Sequence, residues 1–460
     1  MRAMAATMQA MAVIETDWRE PIEVLAAVAD EPWAIGFVSG GQGEQARWSY
    51  LARRPDQTLI VPADDPADPF EAMAALLGPP SPPLTDGPPF QGGLAGLCAY
   101  ELGARAERLP LRRLGDWPDL AVARYPAVLA FDHAKRNVRA IGRGGDDASA
   151  RARAGEALTW LDETKPALTE ISPLAGSLSC GPARAYEVAV ADVVKRIGEG
   201  EIFQANIARA WRGRLTTGRT PFDLLVRLAQ SSPAPFASYF RLPDRAVVSN
   251  SPERFVRVTP GANGLAVETR PIKGTLPRGK SPAEDARLAA ALAASAKDRA
   301  ENLMIVDLMR NDLARVCPPG SVETPDLFRV ESFANVHHLV STVTARLGPG
   351  RTAFDLLRAS FPPGSSTGEP KVQAMKVIAA LEAPRGPFFG SMFWAGFDGA
   401  FDSNVLIRTA AFEDDPEGWT IETRAGAGIV ADSNSNAERR ESEDKIAAIL
   451  GALGDPKQNP

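Results

Sequence analysis

Residues 295–314 read Ser-Ala-Lys-Asp-Arg-Ala-Glu-Asn-Leu-Met-Ile-Val-Asp-Leu-Met-Arg-Asn-Asp-Leu-Ala. The stretch predicts a helix on which Asp298 and Glu301 stand three apart. Ile305 and Leu308 continue the face that Glu301 opens, at helical spacing. Glu301 is therefore expected to point toward an interior, where a carboxylate needs a partner, and a cation is the obvious one. Two or three carboxylates from separate helices, completed by water and substrate oxygens, is how Mg²⁺ is usually held.

Toward the C-terminus, residues 361–371 form a Ser/Thr/Gly loop before a helix expected at 372–381. Such a loop can bring backbone N–H groups to an anion, although an ordinary loop before a helix has the same composition. A Gly-rich strand follows at 425–433, and then a helix from about Ser435. On that helix Glu438, Glu441 and Lys445 share one face, the usual pattern of a solvated salt-bridge stripe. Toward the N-terminus, the segment Glu268–Thr275 presents Lys273 at a strand–turn junction, between Pro271 and Gly274. An exposed turn lysine has the same surroundings. A nucleophilic lysine must be neutral, which calls for desolvation or a nearby cation.

Further upstream, Tyr186, Val190, Val193, Val194 and Ile197 predict a helix from Arg184 to about Gly198. Residues 166–184 read as a linker. Residues 1–165 read as a β-rich N-terminal region, with strand runs at 33–38 and 121–131 and a polar helix at 147–163. Residues 185–453 read as one catalytic domain, and 454–460 as a frayed tail. The class is α/β (α+β).

The 460 residues carry a net charge of −6, with 45% hydrophobic and 23% charged residues. This is the composition of a soluble globular protein, without the basic footprint of a nucleic-acid binder. No apolar run reaches the roughly 18 residues of a transmembrane helix. Cys98, Cys180 and Cys317 are odd in number and far apart. They suggest neither disulfides nor a CxxC site, and a reduced cytoplasmic setting is the simplest expectation.

Taken in order, the blocks 251–255, 270–275, 298–313, 336–339, 361–371, 407–409 and 425–445 resemble the chorismate-utilising enzymes. The resemblance spans about 184–450, with a looser match at 96–103. It implies a large fold of β-sheets flanked by helices, with the site between them. It also implies roles. Glu301 and Glu441 would bind Mg²⁺, with Glu438 near the metal through water. Arg408, the Gly428 amide and Lys445 would take the enolpyruvyl carboxylate of chorismate. Glu253 would be the general acid for the C4 hydroxyl, and His338 a site residue. Thr275, Thr367, Gly368 and Gln204 would complete the substrate contacts.

Members that add water carry a lysine base where this chain has Gln204, so the resemblance favours amination. Lys273 replaces the alanine usual in anthranilate synthases and marks the aminodeoxychorismate-forming branch. There it would form a covalent intermediate on the route to 4-aminobenzoate and folate. The chain lacks the Gly-x-Cys-x-Gly elbow of a glutaminase, so ammonia is expected from a separate glutaminase subunit. The sequence departs from the family pattern at Pro363, Glu369 and Trp394. Anthranilate synthase component I and a non-catalytic binding protein are the rival readings.

Overall fold

The computed structural model describes residues 8–454 apart from 42, 85, 168–171 and 333–335. Part of the expected linker and nearly all of the expected tail thus lie outside the described residues. Among the described residues, twelve strands form one antiparallel sheet and ten form a second, with eleven α-helices around them. Both sheets take strands from either side of residue 166. In the larger sheet, strand Ile35–Phe37 pairs with Phe236–Arg241. In the smaller, Gly93–Cys98 pairs with Ser391–Gly396.

Side-chain alternation along single strands shows how the layers stack. In Gly93–Cys98, Leu94 and Cys98 join a core with Phe70, Ile305 and Met309 of the helices outside the smaller sheet. Ala95 and Leu97 face the other way, into a core shared with Tyr50 and Val128 of the larger sheet. A third core lies outside the larger sheet under helices Pro21–Val28, Pro221–Ser231 and Ser435–Leu453. The order is therefore helices, sheet, sheet, helices. Because both faces of each sheet are covered, central strands read as continuous apolar runs.

The run at 121–131 behaves as two strands. Leu120–Tyr125 belongs to the smaller sheet and Ala127–Asp132 to the larger. The chain crosses between sheets at Pro126, which has no N–H to donate to a ladder. Its carbonyl still accepts the Arg143 N–H at 2.7 Å.

The helices expected from periodicity appear as Ala183–Gly198, Ala296–Ala314, Lys371–Leu381 and Ser435–Leu453. Ser295 caps the second through a bond from the Asp298 N–H. The polar helix ends at Thr159 and is followed by a 3₁₀ turn to Asp162. Among the described residues, no helix is long and apolar enough to cross a membrane.

Candidate active site

Strand Ile272–Pro277 lies at one edge of the smaller sheet. At the far end of the larger sheet, strand Gln204–Arg214 pairs with Gly418–Ile429. A cleft of about 530 Å³ is lined from both sheets and from helices Ala296–Ala314 and Ser435–Leu453. Ten of the residues expected at the site line it: Glu253, Lys273, Thr275, Glu301, His338, Arg408, Gly428, Glu438, Glu441 and Lys445.

Lys273 and Thr275 reach the cleft from a strand that bulges between them, with Gly274 at φ +79°. Lys273 Nζ stands 3.9 Å from Glu301, whose other oxygen is 3.8 Å from Lys297 Nζ. Thr275 Oγ1 lies 2.9 Å from His338 Nδ1 on the neighbouring strand. Burial, aided by the Arg408 charge, lowers the His338 pKa to about 4. The imidazole is therefore neutral at physiological pH and acts as a hydrogen-bonding group.

Glu253 is buried just after Pro252, and its carbonyl accepts the Val405 N–H at 3.1 Å. Burial raises its carboxyl to about 7 against the opposing effects of Ser365, Lys273 and Lys445. A carboxyl poised there is suited to general-acid chemistry near neutrality.

Arg408 sits at φ +49°, a strained conformation for a residue with a side chain. Burial pushes its guanidinium pKa down. No carboxylate among the described residues pairs with it. A half-buried guanidinium without a carboxylate partner has the chemistry to receive a planar anion.

On the opposite wall, strands Gln204–Arg214 and Gly418–Ile429 approach so closely that a Cβ on Gly426 would lie 1.9 Å from the Ile207 carbonyl oxygen. Lys445 donates to the Gly426 carbonyl at 3.0 Å and pairs with Glu441 at 2.6 Å. Burial opposes ionisation of Glu441, but Lys445, Lys273 and Lys297 outweigh it and hold the carboxyl below its usual range. Glu438 is held above its usual range by burial, with Glu441 adding repulsion.

Glu301, Glu438 and Glu441 all line the cleft and offer only oxygen donors, the kind a hard cation takes. Lysine ammonium groups stand against two of them. No three acidic, histidine or cysteine side chains among the described residues are already gathered as a metal site. The donor chemistry fits Mg²⁺.

Three expected contacts lie behind the wall. Thr367 is fully buried and donates to the Pro363 carbonyl at 2.8 Å. Gly368 pairs with Ala205 in the larger sheet. Ser365 and Ser366 line the cleft instead. Gln204 is buried, with its amide reaching across Gly428. Lys371, in the same loop motif, is turned away into an ion pair with Asp312 at 2.6 Å. Glu369 does not line the cleft. Lys297, Asp444, Asn206 and Arg424 do, and the sequence reading did not assign them. For Lys297 the i,i+4 spacing to Glu301 was the available signal.

A second cavity, of about 590 Å³, is lined by Trp48, Tyr50, Phe236 and Trp394. Arg254 and Asp402 in its wall are closed in an ion pair at 2.9 Å. It holds none of the acid, base and lysine groups above. Trp394 belongs here, stacked on Phe90 at 5.2 Å.

The chain is similar over 96% of its length, at 41% identity, to aminodeoxychorismate synthase component 1 of Salmonella typhimurium, 98% of which is covered. It is 38% identical to anthranilate synthase component 1 of Streptomyces coelicolor, over 90% of this chain and 82% of that one. The crystal structure of anthranilate synthase component I from Streptococcus pneumoniae superposes with a TM-score of 0.77 at 27% identity, covering 89% of this chain and 93% of the other. The family model described as chorismate binding enzyme matches residues 37–451. With that match, and with the acid, lysine and arginine groups gathered in one cleft, the chain belongs to the chorismate-binding enzymes.

Proposed function

We propose that the protein converts chorismate and ammonia to 4-amino-4-deoxychorismate and water, supplying 4-aminobenzoate for folate. The observation that carries this reading is Lys273, whose ammonium end lies in the cleft beside Glu301 and close enough to Glu253 to bear on its charge.

Arg408 and Lys445 receive the enolpyruvyl carboxylate. In its unprotonated form the Lys273 amine attacks C2 of the ring as the C4 hydroxyl leaves, and Glu253 donates the proton that makes the hydroxyl water. Ammonia then adds at C4 and expels the lysine, and a proton from the added nitrogen returns to the Glu253 carboxylate. Two displacements replace one difficult one, as nucleophilic catalysis requires. His338, neutral and bonded to Thr275, orients the pyruvyl end. Glu301 and Glu441, with Glu438 through water, would hold Mg²⁺, which supplies positive charge for the ring carboxylate. The component 1 naming of the relatives supports a partner chain, here read as a separate glutaminase delivering ammonia.

Anthranilate formation is the second reading, favoured by the identity to anthranilate synthase component 1. One experiment separates the two. Purified protein with chorismate, Mg²⁺ and ammonium should give 4-amino-4-deoxychorismate without released pyruvate, and Lys273→Ala should abolish it. Anthranilate plus pyruvate would overturn the proposal.

A further inference from the structure

Lys273, Lys297 and Lys445 all line the cleft, and they are held differently. Lys445 donates to the Gly426 carbonyl at 3.0 Å and pairs with Glu441 at 2.6 Å. Lys273 projects from a strand of the smaller sheet, and its side chain is 16% exposed. The Lys297 side chain is 57% exposed, and its one ion-pair partner among the described residues is Glu301, at 3.8 Å. A lysine held by one loose contact, on a flexible four-carbon stem, leaves that contact at little cost.

What Lys297 faces sets it apart. It stands one turn before Glu301 on helix Ala296–Ala314. The charges of Glu301, Glu438, Asp432 and Glu441 all act on it. Three of these are the carboxylates that would hold Mg²⁺ in the reading above. Lys297 and Lys273 approach different oxygens of Glu301, so each oxygen faces an ammonium. A divalent cation and an ammonium on the same carboxylate repel one another even through water.

We infer that Lys297 is a displaceable counter-ion of the metal site: it holds Glu301 until Mg²⁺ arrives, and Mg²⁺ must displace it to bind. This rests on the Mg²⁺ role proposed above and adds the residue that sets how tightly the metal is held. Lys445 is tied twice and Lys273 is enclosed, whereas Lys297 has solvent to swing into. The counter-ion keeps the glutamates from meeting as bare charges in the metal-free protein. It also keeps the metal affinity modest, so that Mg²⁺ binds best when an anionic substrate adds its own negative charge.

The test is calorimetric titration of MgCl₂ into chelator-stripped protein at low ionic strength, without chorismate, so that no turnover enters the readout. Lys297→Met should bind Mg²⁺ about tenfold more tightly than the unaltered protein, because one repelling charge is gone. Lys297→Arg keeps the charge and should stay within about twofold. Lys195→Met removes the same charge from a surface pair with Glu199. It should also stay within about twofold, which separates a local effect from net charge. Raising the salt to about 0.5 M should shrink the Lys297→Met gain to about threefold or less. An affinity unchanged or weakened in Lys297→Met would overturn the inference and leave the amination reading standing. Failure of the unaltered protein to bind Mg²⁺ would overturn the inference and the metal's role together, while product analysis with chorismate and ammonium decides the amination reading separately.

Discussion

Lys273 and Lys371 each follow closely on a proline, Pro271 and Pro370, and the fold treats them in opposite ways. Lys371 opens helix Lys371–Leu381, the end at which the helix dipole disfavours a cation. It is buried, bonded to Asp312 at 2.6 Å and to the Ser360 carbonyl. Lys273 lies twice as exposed, 3.9 Å from a glutamate that has a second lysine partner. A tight, dry pair holds loop and helix together. A loose pair at a cleft leaves the amine available. The difference teaches that burial and second partners, not motif context, separate a lysine locked into the fold from one left open to a cleft.

The strongest way to break this contrast is to remove the amine at both places. Lys273→Met should lower turnover about 10³-fold or more, roughly 4 kcal/mol in the barrier. Its stability should change by less than about 1 kcal/mol, because Glu301 keeps Lys297. Lys371→Met should cost about 3–5 kcal/mol of stability in denaturant unfolding, because Asp312 is left buried without its cation. Asp312 is already raised to about 6 by burial, and adding Asp312→Leu should restore most of the loss. Equal effects of the two lysine changes on stability would erase the contrast.

Glu253 sharpens it from the acid side. Its folded value of about 7 stands above the ordinary 4.5 because of burial. The folded state therefore binds the proton more tightly than the unfolded one. Its favourable contribution is complete below about pH 4.5 and disappears as pH rises through 7. The loss should reach up to about 3 kcal/mol relative to Glu253→Gln, whose unfolding free energy should lack this slope. A slope of opposite sign would show that the carboxylate is paired when folded. The smallest effect is expected of Ser365→Ala. Losing a bond to the charged form of Glu253 is worth roughly 1.5 kcal/mol, and it should move the general-acid limb of the kcat profile to higher pH.

Much of the site was legible because its chemistry is carried by local patterns. The Glu438, Glu441 and Lys445 face follows from helical spacing alone, as does the inward turn of Glu301. The ordinary meaning of the first, a solvated stripe, gave way because helix Ser435–Leu453 packs its buried side onto strand Gly418–Ile429, bringing these groups to the cleft edge. The loop at 361–371 was located correctly in the chain, but which serine or threonine faces the cleft depends on how the loop packs. Thr367 spends its hydroxyl on Pro363, and Ser365 is left at the opening. Nothing in the order of residues distinguishes these two.

By itself the sequence determined five of the eleven helices found among the described residues, the β-rich character of the first 165 residues and the chemical inventory of acids, lysines and an arginine in family order. These depend on periodicity and on side-chain type, which are local. Only the tertiary structure decided that the run at 121–131 serves two sheets through Pro126, and that Asn206 lies opposite Gly428. It likewise decided that Glu253 holds its proton near neutrality while Glu441 does not. Strand pairing joins residues more than two hundred positions apart, and a carboxyl's proton affinity is set by whatever surrounds it once water has been excluded.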